Sequence, residues 1–474
     1  MVFDISLYLS LMIFALGLIF KISTWFRYNF ESTTIPFTAR ERFFAAMGGI
    51  VVTLFSGRVL TLLKSLLLDV FCQRRIMRES PLRWVMHMCL FWGFTLLLLM
   101  HALEGMLTSN FFPDYAATLN PFLFLRNFFG LLVFVGVGIA FYRRFIQKAP
   151  RFSTNAMDRY ALILLAVIMI SGVFLEAAKI VSFERYSQMV TDYADFDEEQ
   201  DLKALEALWV RDYGVVSPNL TGPFDKELLT RGRELHEMNC AACHSRPQWA
   251  FISYGAASIL RPAALPLDRS GLVTLLWTIH FLTCFVGLAY LPFSRLFHIL
   301  ATPLNLLINS VMEKGKSHPA NIITLQMMAL DACTHCGSCT SRCSLAVVFE
   351  EIPNPNILPS EKITSLKALA SGKPLNEHQI TVIQEGLYLC TNCYRCTTVC
   401  PAGINLQELW FDVREAVLKR GYPELLVLTP FSMYRGLLSP TVAKADYHQA
   451  QKQPMVGIEA VCSALSNPDD PIKP

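Results

Sequence analysis

The sequence predicts a mainly α-helical membrane protein, and three observations carry that reading. Over the 474 residues, 53% are apolar and only 17% charged, the balance of a chain whose solvent is partly lipid. Five apolar stretches are each about 20 residues long, the length that crosses the hydrocarbon layer as a helix. Two cysteine runs of identical spacing lie in the last third of the chain. The expected architecture is a five-helix transmembrane bundle (residues 1–180 and 271–300), a small α-helical insert (181–270) and a helical cysteine-rich domain (301–474). The net charge of +3 comes from basic residues beside apolar spans. No folded basic face of the kind that binds nucleic acid is implied.

The first span is expected at Leu7–Phe26. Its flank, Met1–Ser6, carries Asp4 and no Lys or Arg, unlike the basic start of a signal peptide. A basic stretch follows: Arg27, Arg40, Arg42, Arg58, Lys64, Arg74, Arg75, Arg78 and Arg83. The positive-inside rule puts it in the cytoplasm and the N-terminus outside. Within it, Phe43–Phe71 reads as an amphipathic or re-entrant helix at the membrane surface. Counting it as a sixth span would place Arg27, Arg40 and Arg42 outside. Further spans are expected at Arg83–Met106, Pro121–Phe145, Tyr160–Ile180 and Gly271–Leu300. Glu104 to Asn120 has no Lys or Arg and so lies outside. The next connection carries Arg143, Arg144, Lys148, Arg151 and Arg159 and lies inside. Val181–Ser270 is then external and the chain after Arg295 internal. This is a multi-pass protein of a bacterial or archaeal cytoplasmic membrane.

Four histidines fall on these spans. His87 and His101 are 14 residues apart on the second, about four turns; His280 and His298 are 18 apart on the fifth, five turns. Each pair is expected to share a helix face. Polar residues inside a membrane are costly and mark function. Two antiparallel helices with such pairs suit two stacked bis-histidine haems b, His87 with His298 and His101 with His280. The competing reading is interfacial histidines without metal.

The external segment holds Cys240-Ala-Ala-Cys243-His244, the C-x-x-C-H pattern of covalent haem c attachment, after a helical run from Asp225 to Asn239. Two thioethers would hold the porphyrin, and His244 one axial position. The sixth ligand is open. No methionine follows within the loop; Met189, His236 and Met238 precede the motif, the last two too near in sequence to fold back. The acidic run Asp192–Asp201 reads as a solvated face that could dock a basic periplasmic c-type cytochrome.

The cysteine runs are Cys333-x2-Cys336-x2-Cys339-x3-Cys343 and Cys390-x2-Cys393-x2-Cys396-x3-Cys400, followed by Pro401. This spacing holds [4Fe–4S] clusters, with the fourth cysteine reaching the other cluster. One quartet is thus Cys333, Cys336, Cys339 and Cys400; the other is Cys390, Cys393, Cys396 and Cys343. Zinc sites take ligands in pairs rather than in two matched quartets, and disulfides do not suit a cytosolic face. Pro353, Pro355 and Pro359 interrupt the connection before helical stretches, and Leu406–Arg420 reads as an amphipathic helix over the clusters. Cys72, Cys89, Cys284 and Cys462 belong to no pattern.

The five-span plan with paired histidines at His87, His101, His280 and His298 resembles the cytochrome b (gamma) subunit of respiratory nitrate reductase. The segment Pro319–Val427 is similar to the C subunit of heterodisulfide reductase. Fusions of the two resemble the C subunit of quinone-interacting membrane-bound oxidoreductase of anaerobic respiration. The chain has no adjacent Cys-Cys pair. The resemblance therefore implies that catalytic chemistry sits on cytosolic partners, heterodisulfide reductase A/B-like subunits or a flavoprotein. No nucleotide loop or nucleophile–base pair is present. The expected role is electron transfer between a quinone such as menaquinone and those partners, with a quinone-independent conduit as the alternative. A quinone site needs a proton-exchanging group at a membrane edge; Glu104, Glu176 and Lys179 are the candidates.

Overall fold

The structure is a computed structural model. It describes residues 1–30, 37–147, 156–194, 196, 198–313, 315–349, 352, 354–420 and 422. Lys148, Arg151, Pro353, Cys462 and two members of the acidic run, Asp195 and Asp197, lie outside the described residues. So does the end of the segment expected to resemble the heterodisulfide reductase C chain. The protein forms two compact units. One comprises Met1–Leu18, Ile76–Ala149 and Thr154–Leu296; the other Ile19–Arg75, Pro150–Ser153 and Phe297–Pro474.

Among the described residues five helices are long and apolar enough to cross a bilayer: Val2–Arg27, Pro81–His101, Phe122–Ile146, Ala156–Val181 and Leu272–Phe293. The second begins where Ser80 accepts a hydrogen bond from the Arg83 amide and Pro81 takes the first helical position. Such a cap contributes about 1 kcal/mol. It packs on the third span through small residues. A Cβ at Gly93 would lie 2.9 Å from the Phe129 carbonyl oxygen, and one at Gly136 would lie 2.7 Å from Leu90 Cγ. Close backbone approach of this kind replaces the hydrophobic effect as the glue between helices in lipid. At one end of the bundle the buried Asp158 is paired with Arg295 and, at 3.7 Å, with Arg144.

The first and fourth spans begin earlier than expected, at Val2 and Ala156, and two further boundaries differ where the histidines lie. The second span ends at His101, not near Met106, and Glu104–Thr108 forms a separate π-helical turn. The α-helix of the fifth span stops at Tyr290. Leu291–Phe293 is a 3-10 turn containing Pro292, Ser294 is extended (φ −103, ψ 175), Arg295–Phe297 is another turn, and His298 opens a new helix, His298–Val311. Gly271–Leu300 is therefore not one helix. Proline has no N–H to donate and its ring disrupts the preceding turn, so the five-turn register between His280 and His298 does not hold.

The 181–270 segment belongs to the same unit as the spans. Its helices Phe183–Tyr193, Glu199–Leu208 and Lys226–Asn239 enclose a core of Tyr186, Val190, Leu205, Trp209, Leu235 and Cys240. Each large apolar side chain buried there is worth about 1.5–3 kcal/mol. The helix Phe251–Leu260 instead packs on the fourth span, where Ala177, Val181 and Ala257 form a shared core with Ala264.

In the other unit, Ala39–Leu54 and Val59–Phe71 are two helices bent by 95°. The bend lies within the stretch expected to be re-entrant. A capping box of Thr38 and Glu41 starts the first helix. Arg42 is 1% exposed, and its guanidinium donates to the Trp25 and Tyr28 carbonyls and to Thr324. The helices Pro319–Ala332, Pro359–Ala370, Glu377–Tyr388 and Leu406–Lys419 surround the cysteine loops. Asp331, at the end of the first of these, accepts from Lys21 (3.1 Å), Trp25 Nε1 (2.8 Å) and Lys367. These bonds fix the helix end from which the first cysteine run departs. No strand occurs among the described residues.

Candidate functional site

The two cysteine runs fold alike. In each, the second and fourth residues after the first cysteine take positive φ: His335 (50°) and Gly337 (82°), then Asn392 (53°) and Tyr394 (66°). A short helix follows, Ser338–Ser341 and Arg395–Thr398. Left-handed backbone costs a non-glycine residue about 1–2 kcal/mol, and such strain gathers where a loop clamps a ligand. The thiols meet across the motifs. Cys339 neighbours Cys333, Cys336 and Cys400 and, more weakly, Cys396 of the other quartet; Cys343 neighbours Cys390 and Cys393, and Cys396 neighbours Cys390 and Cys343. The fourth cysteine of each run thus joins the other run's trio. Burial pushes the Cys400 thiol up to about 12 and raises Cys339 as well. These are places where a bare thiolate is costly and a metal would displace the proton. Among the described residues no three His, Cys, Asp or Glu side chains converge on a single ion; a four-iron cluster sets its thiolates around a larger body.

In the membrane unit one cavity of about 940 Å³ is lined by His101, His280 and His244 together. It is near the upper end of small-molecule pockets, roughly 300–1,000 Å³. The ring centroids of His101 and His280 lie 6.1 Å apart, with the planes tilted by 54°. Two imidazoles either side of one metal need about 2 Å per metal–nitrogen bond and roughly 1.1 Å from nitrogen to ring centre, or about 6 Å in all. His280 Nδ1 lies 3.1 Å from the Ile168 carbonyl and 3.1 Å from Ser171 Oγ. Donation to the carbonyl leaves Nε2 bare for a metal, the usual arrangement of a ligating histidine. Gly172 makes room for the ring; a Cβ there would meet His280 Cε1 at 3.0 Å. His101 Nδ1 lies 3.3 Å from Arg126 Nη2. Arginine only donates, so this contact puts the imidazole proton on Nε2; ligation through Nε2 requires Arg126 to turn toward another acceptor.

The Cys240–His244 loop is a tight turn after the helix Lys226–Asn239, with the His244 amide donating to the Cys240 carbonyl at 2.9 Å. It is fastened to the connection between the second and third spans. The Ser245 amide donates to the Thr118 carbonyl (3.0 Å) and the Asn120 amide to Ser245 Oγ (2.9 Å). Cys240 is buried and Cys243 exposed. Met189 lines the same cavity as His244 and packs against the core that holds Cys240. His236 is turned to Tyr213, whose hydroxyl lies 2.7 Å from its Nε2, and burial beside His244 pushes it down to about 4. Met238 is largely exposed.

The three candidates for proton exchange all line this cavity, but differently. Glu176 accepts from Ser253 Oγ (2.6 Å) and Asn127 Nδ2 (3.2 Å). Glu104 Oε2 is buried without a hydrogen-bond partner. Lys179 joins Arg126 and Arg185 in a basic lining. Sequence reasoning passed over Arg126, although a charge inside an apolar span was the signal. It also passed over Cys284, one turn beyond His280 and on the same cavity. His87 lies on the second span but not on this cavity, and His298 lies beyond the fifth span.

Residues 63–201 match the family of the E subunit of dihydromethanophenazine:CoB--CoM heterodisulfide reductase, and residues 329–404 match the 4Fe-4S dicluster domain. The EtfAB:quinone oxidoreductase of Syntrophomonas wolfei is 23% identical over 376 residues, 70% of this chain and 45% of its own length. The E subunit of the Methanosarcina acetivorans dihydromethanophenazine:CoB--CoM heterodisulfide reductase is 36% identical over 136 residues, 27% of this chain and 48% of its own. The D subunit from the same organism is 31% identical over 112 residues, 21% of this chain and 27% of its own. The chain thus spans less than half the length of each of these relatives. No solved structure matches it. The membrane part, expected to resemble nitrate reductase gamma, matches the heterodisulfide reductase E chain instead, and that match runs 21 residues into the segment read as an insert. The chain thus joins a membrane stretch similar to the heterodisulfide reductase E subunit to a segment that matches the 4Fe-4S dicluster domain.

Proposed function

We propose that this chain carries electrons between a membrane quinone and cytosolic redox subunits, using two [4Fe–4S] clusters held by the eight cysteines, a haem b between His101 and His280, and a haem c at Cys240, Cys243 and His244. The observation that carries the reading is the single cavity lined by His101, His280 and His244. A haem bound there would supply a one-electron couple. Ser171 and the Ile168 carbonyl orient His280. Arg126, Lys179 and Arg185 give the wall the charge that a group bearing carboxylates needs, and such carboxylates would draw Arg126 away from His101. Met189 is the candidate sixth ligand of haem c. The second haem b, at His87 and His298, loses its register argument with the break after Tyr290 and is left without support.

Quinol oxidation releases protons as well as electrons, so an acceptor must stand at the site. Glu104, with a buried and unpartnered oxygen, is the residue for that task; Glu176 is committed to Ser253 and Asn127. Relatives named for quinone and for dihydromethanophenazine favour a lipid-soluble redox carrier over a quinone-independent conduit. Partners are heterodisulfide reductase-like or flavoprotein subunits on the cytosolic side and, at residues 181–270 outside, a c-type cytochrome. The test is optical: a quinone analogue added to the purified protein should shift the haem b spectrum. A haem b spectrum indifferent to the analogue, in protein retaining all its haem, would favour the conduit. Protein purified without haem would overturn the haem assignments.

A further inference from the structure

The second cysteine quartet has a cation built against it. Lys362, on the helix Pro359–Ala370, is 1% exposed. It lines one small pocket with Cys343, Cys390, Cys393 and Cys396, and its ammonium sits 4.6 Å over the Trp410 ring. The two buried cations among the described residues are Arg42 and Lys362. Arg42 is spent on the Trp25 and Tyr28 carbonyls and Thr324, whereas no carboxylate among the described residues pairs with Lys362. A buried, unpaired ammonium is among the most costly groups in a fold. It becomes favourable only if negative charge is placed beside it, and thiolates on an iron–sulfur cluster are such a charge. Of the other cations nearby, Arg414 donates to the Leu387 and Cys390 carbonyls and sits over the Tyr388 ring, and Arg395 lies by the exposed Cys393, whereas Lys362 alone is buried. The strongest charge neighbours of Cys339 and Cys400 are other cysteines, and the guanidinium that reaches Gly403, three residues past Cys400, belongs to the partly exposed Arg75.

We propose that Lys362 is the charge partner of the cluster held by Cys343, Cys390, Cys393 and Cys396, and that it sets that cluster's reduction potential above that of the other. Reduction adds one negative charge to an already anionic group. A fixed cation in a poorly screened site therefore favours the reduced form. The chain thereby gains two clusters of unequal potential, with the electron resting on the one whose ligand Cys393 is exposed. The inference rests on the two-cluster reading, so iron content and the cluster spectrum of the unaltered protein are measured first; their absence would defeat both, whereas with both clusters present the variants below test this inference alone. Lys362→Met keeps the volume and removes the charge; Lys362→Arg keeps the charge. In a potentiometric titration followed by electron paramagnetic resonance, Lys362→Met should lower the potential of one cluster only. Its reduced-to-oxidised ratio at fixed potential should fall by about tenfold or more, which is about 59 mV for a one-electron couple. Lys362→Arg should leave both potentials near their original values. Loss of that cluster in Lys362→Met with retention in Lys362→Arg also supports the charge role. An unmoved potential in Lys362→Met, equal shifts of both clusters, or loss of the cluster in both variants would overturn it.

Discussion

The histidine cavity draws its walls from the second to fifth spans and from the 181–270 segment. Each cysteine quartet comes from two short loops and the helices that close over them. The cavity is wide, lined by three cations and a carboxylate with an unpartnered oxygen. The cysteine sites are tight, and their backbone is held in left-handed conformations at His335, Asn392 and Tyr394. A tight, strained clamp suits a cofactor inserted once and kept. A roomy cavity with a spare proton acceptor suits a site that also admits a mobile molecule. The two regions thus divide the work between storage and exchange.

The sharpest way to break this comparison is through the interleaved cysteines. Cys336→Ser and Cys400→Ser should remove the same cluster, and Cys343→Ser the other, each dropping iron content by about half. If Cys343→Ser and Cys336→Ser silence the same signal, the crossing of the fourth ligands is wrong.

The cavity should fail independently. His101→Ala, His280→Ala and Gly172→Val should each abolish the same haem b in the reduced-minus-oxidised spectrum while leaving both clusters. The valine acts by pushing His280 from its place, since even a Cβ at that position is crowded. Retention of haem b in all three would remove the histidine pair from cofactor binding.

Glu104 and Glu176 separate exchange from framework. Glu104→Gln should keep the haems and slow their reduction by quinol by about 10²–10⁴-fold, the range for losing a general base. Glu176→Gln should instead lower thermal stability, by about 1–3 kcal/mol for disturbing a buried hydrogen-bonded carboxylate. Stopped-flow reduction and melting curves in detergent distinguish them, and the reverse pattern would move the proton acceptor to Glu176.

The smallest effect probes strain. Tyr394→Gly relieves a left-handed tyrosine at the position that Gly337 fills in the other loop. It should stabilise the C-terminal domain by about 1 kcal/mol with both cluster signals intact. A marked loss of stability would mean that the tyrosine side chain, and not the backbone, holds the loop.

Five helices long and apolar enough to cross a bilayer, the helical character of the C-terminal domain and its dicluster motif were legible in the residues alone, because each depends on local order. A run of apolar residues has nowhere to go but lipid or a core, and cysteines two residues apart wrap the same turn of chain whatever surrounds them. The helix–helix register was legible only where the helix was unbroken. His87 and His101 do share one helix, but Pro292 and the extended Ser294 ended the fifth span before His298. That Arg42 is also a buried structural donor was not legible, because charge counting cannot see three acceptors brought from Trp25, Tyr28 and Thr324. The meeting of His101, His280 and His244, the unpartnered oxygen of Glu104 and the placement of Lys362 against one quartet were decided by tertiary structure. Each needs segments far apart in sequence to converge, and convergence is a property of packing that no local pattern encodes.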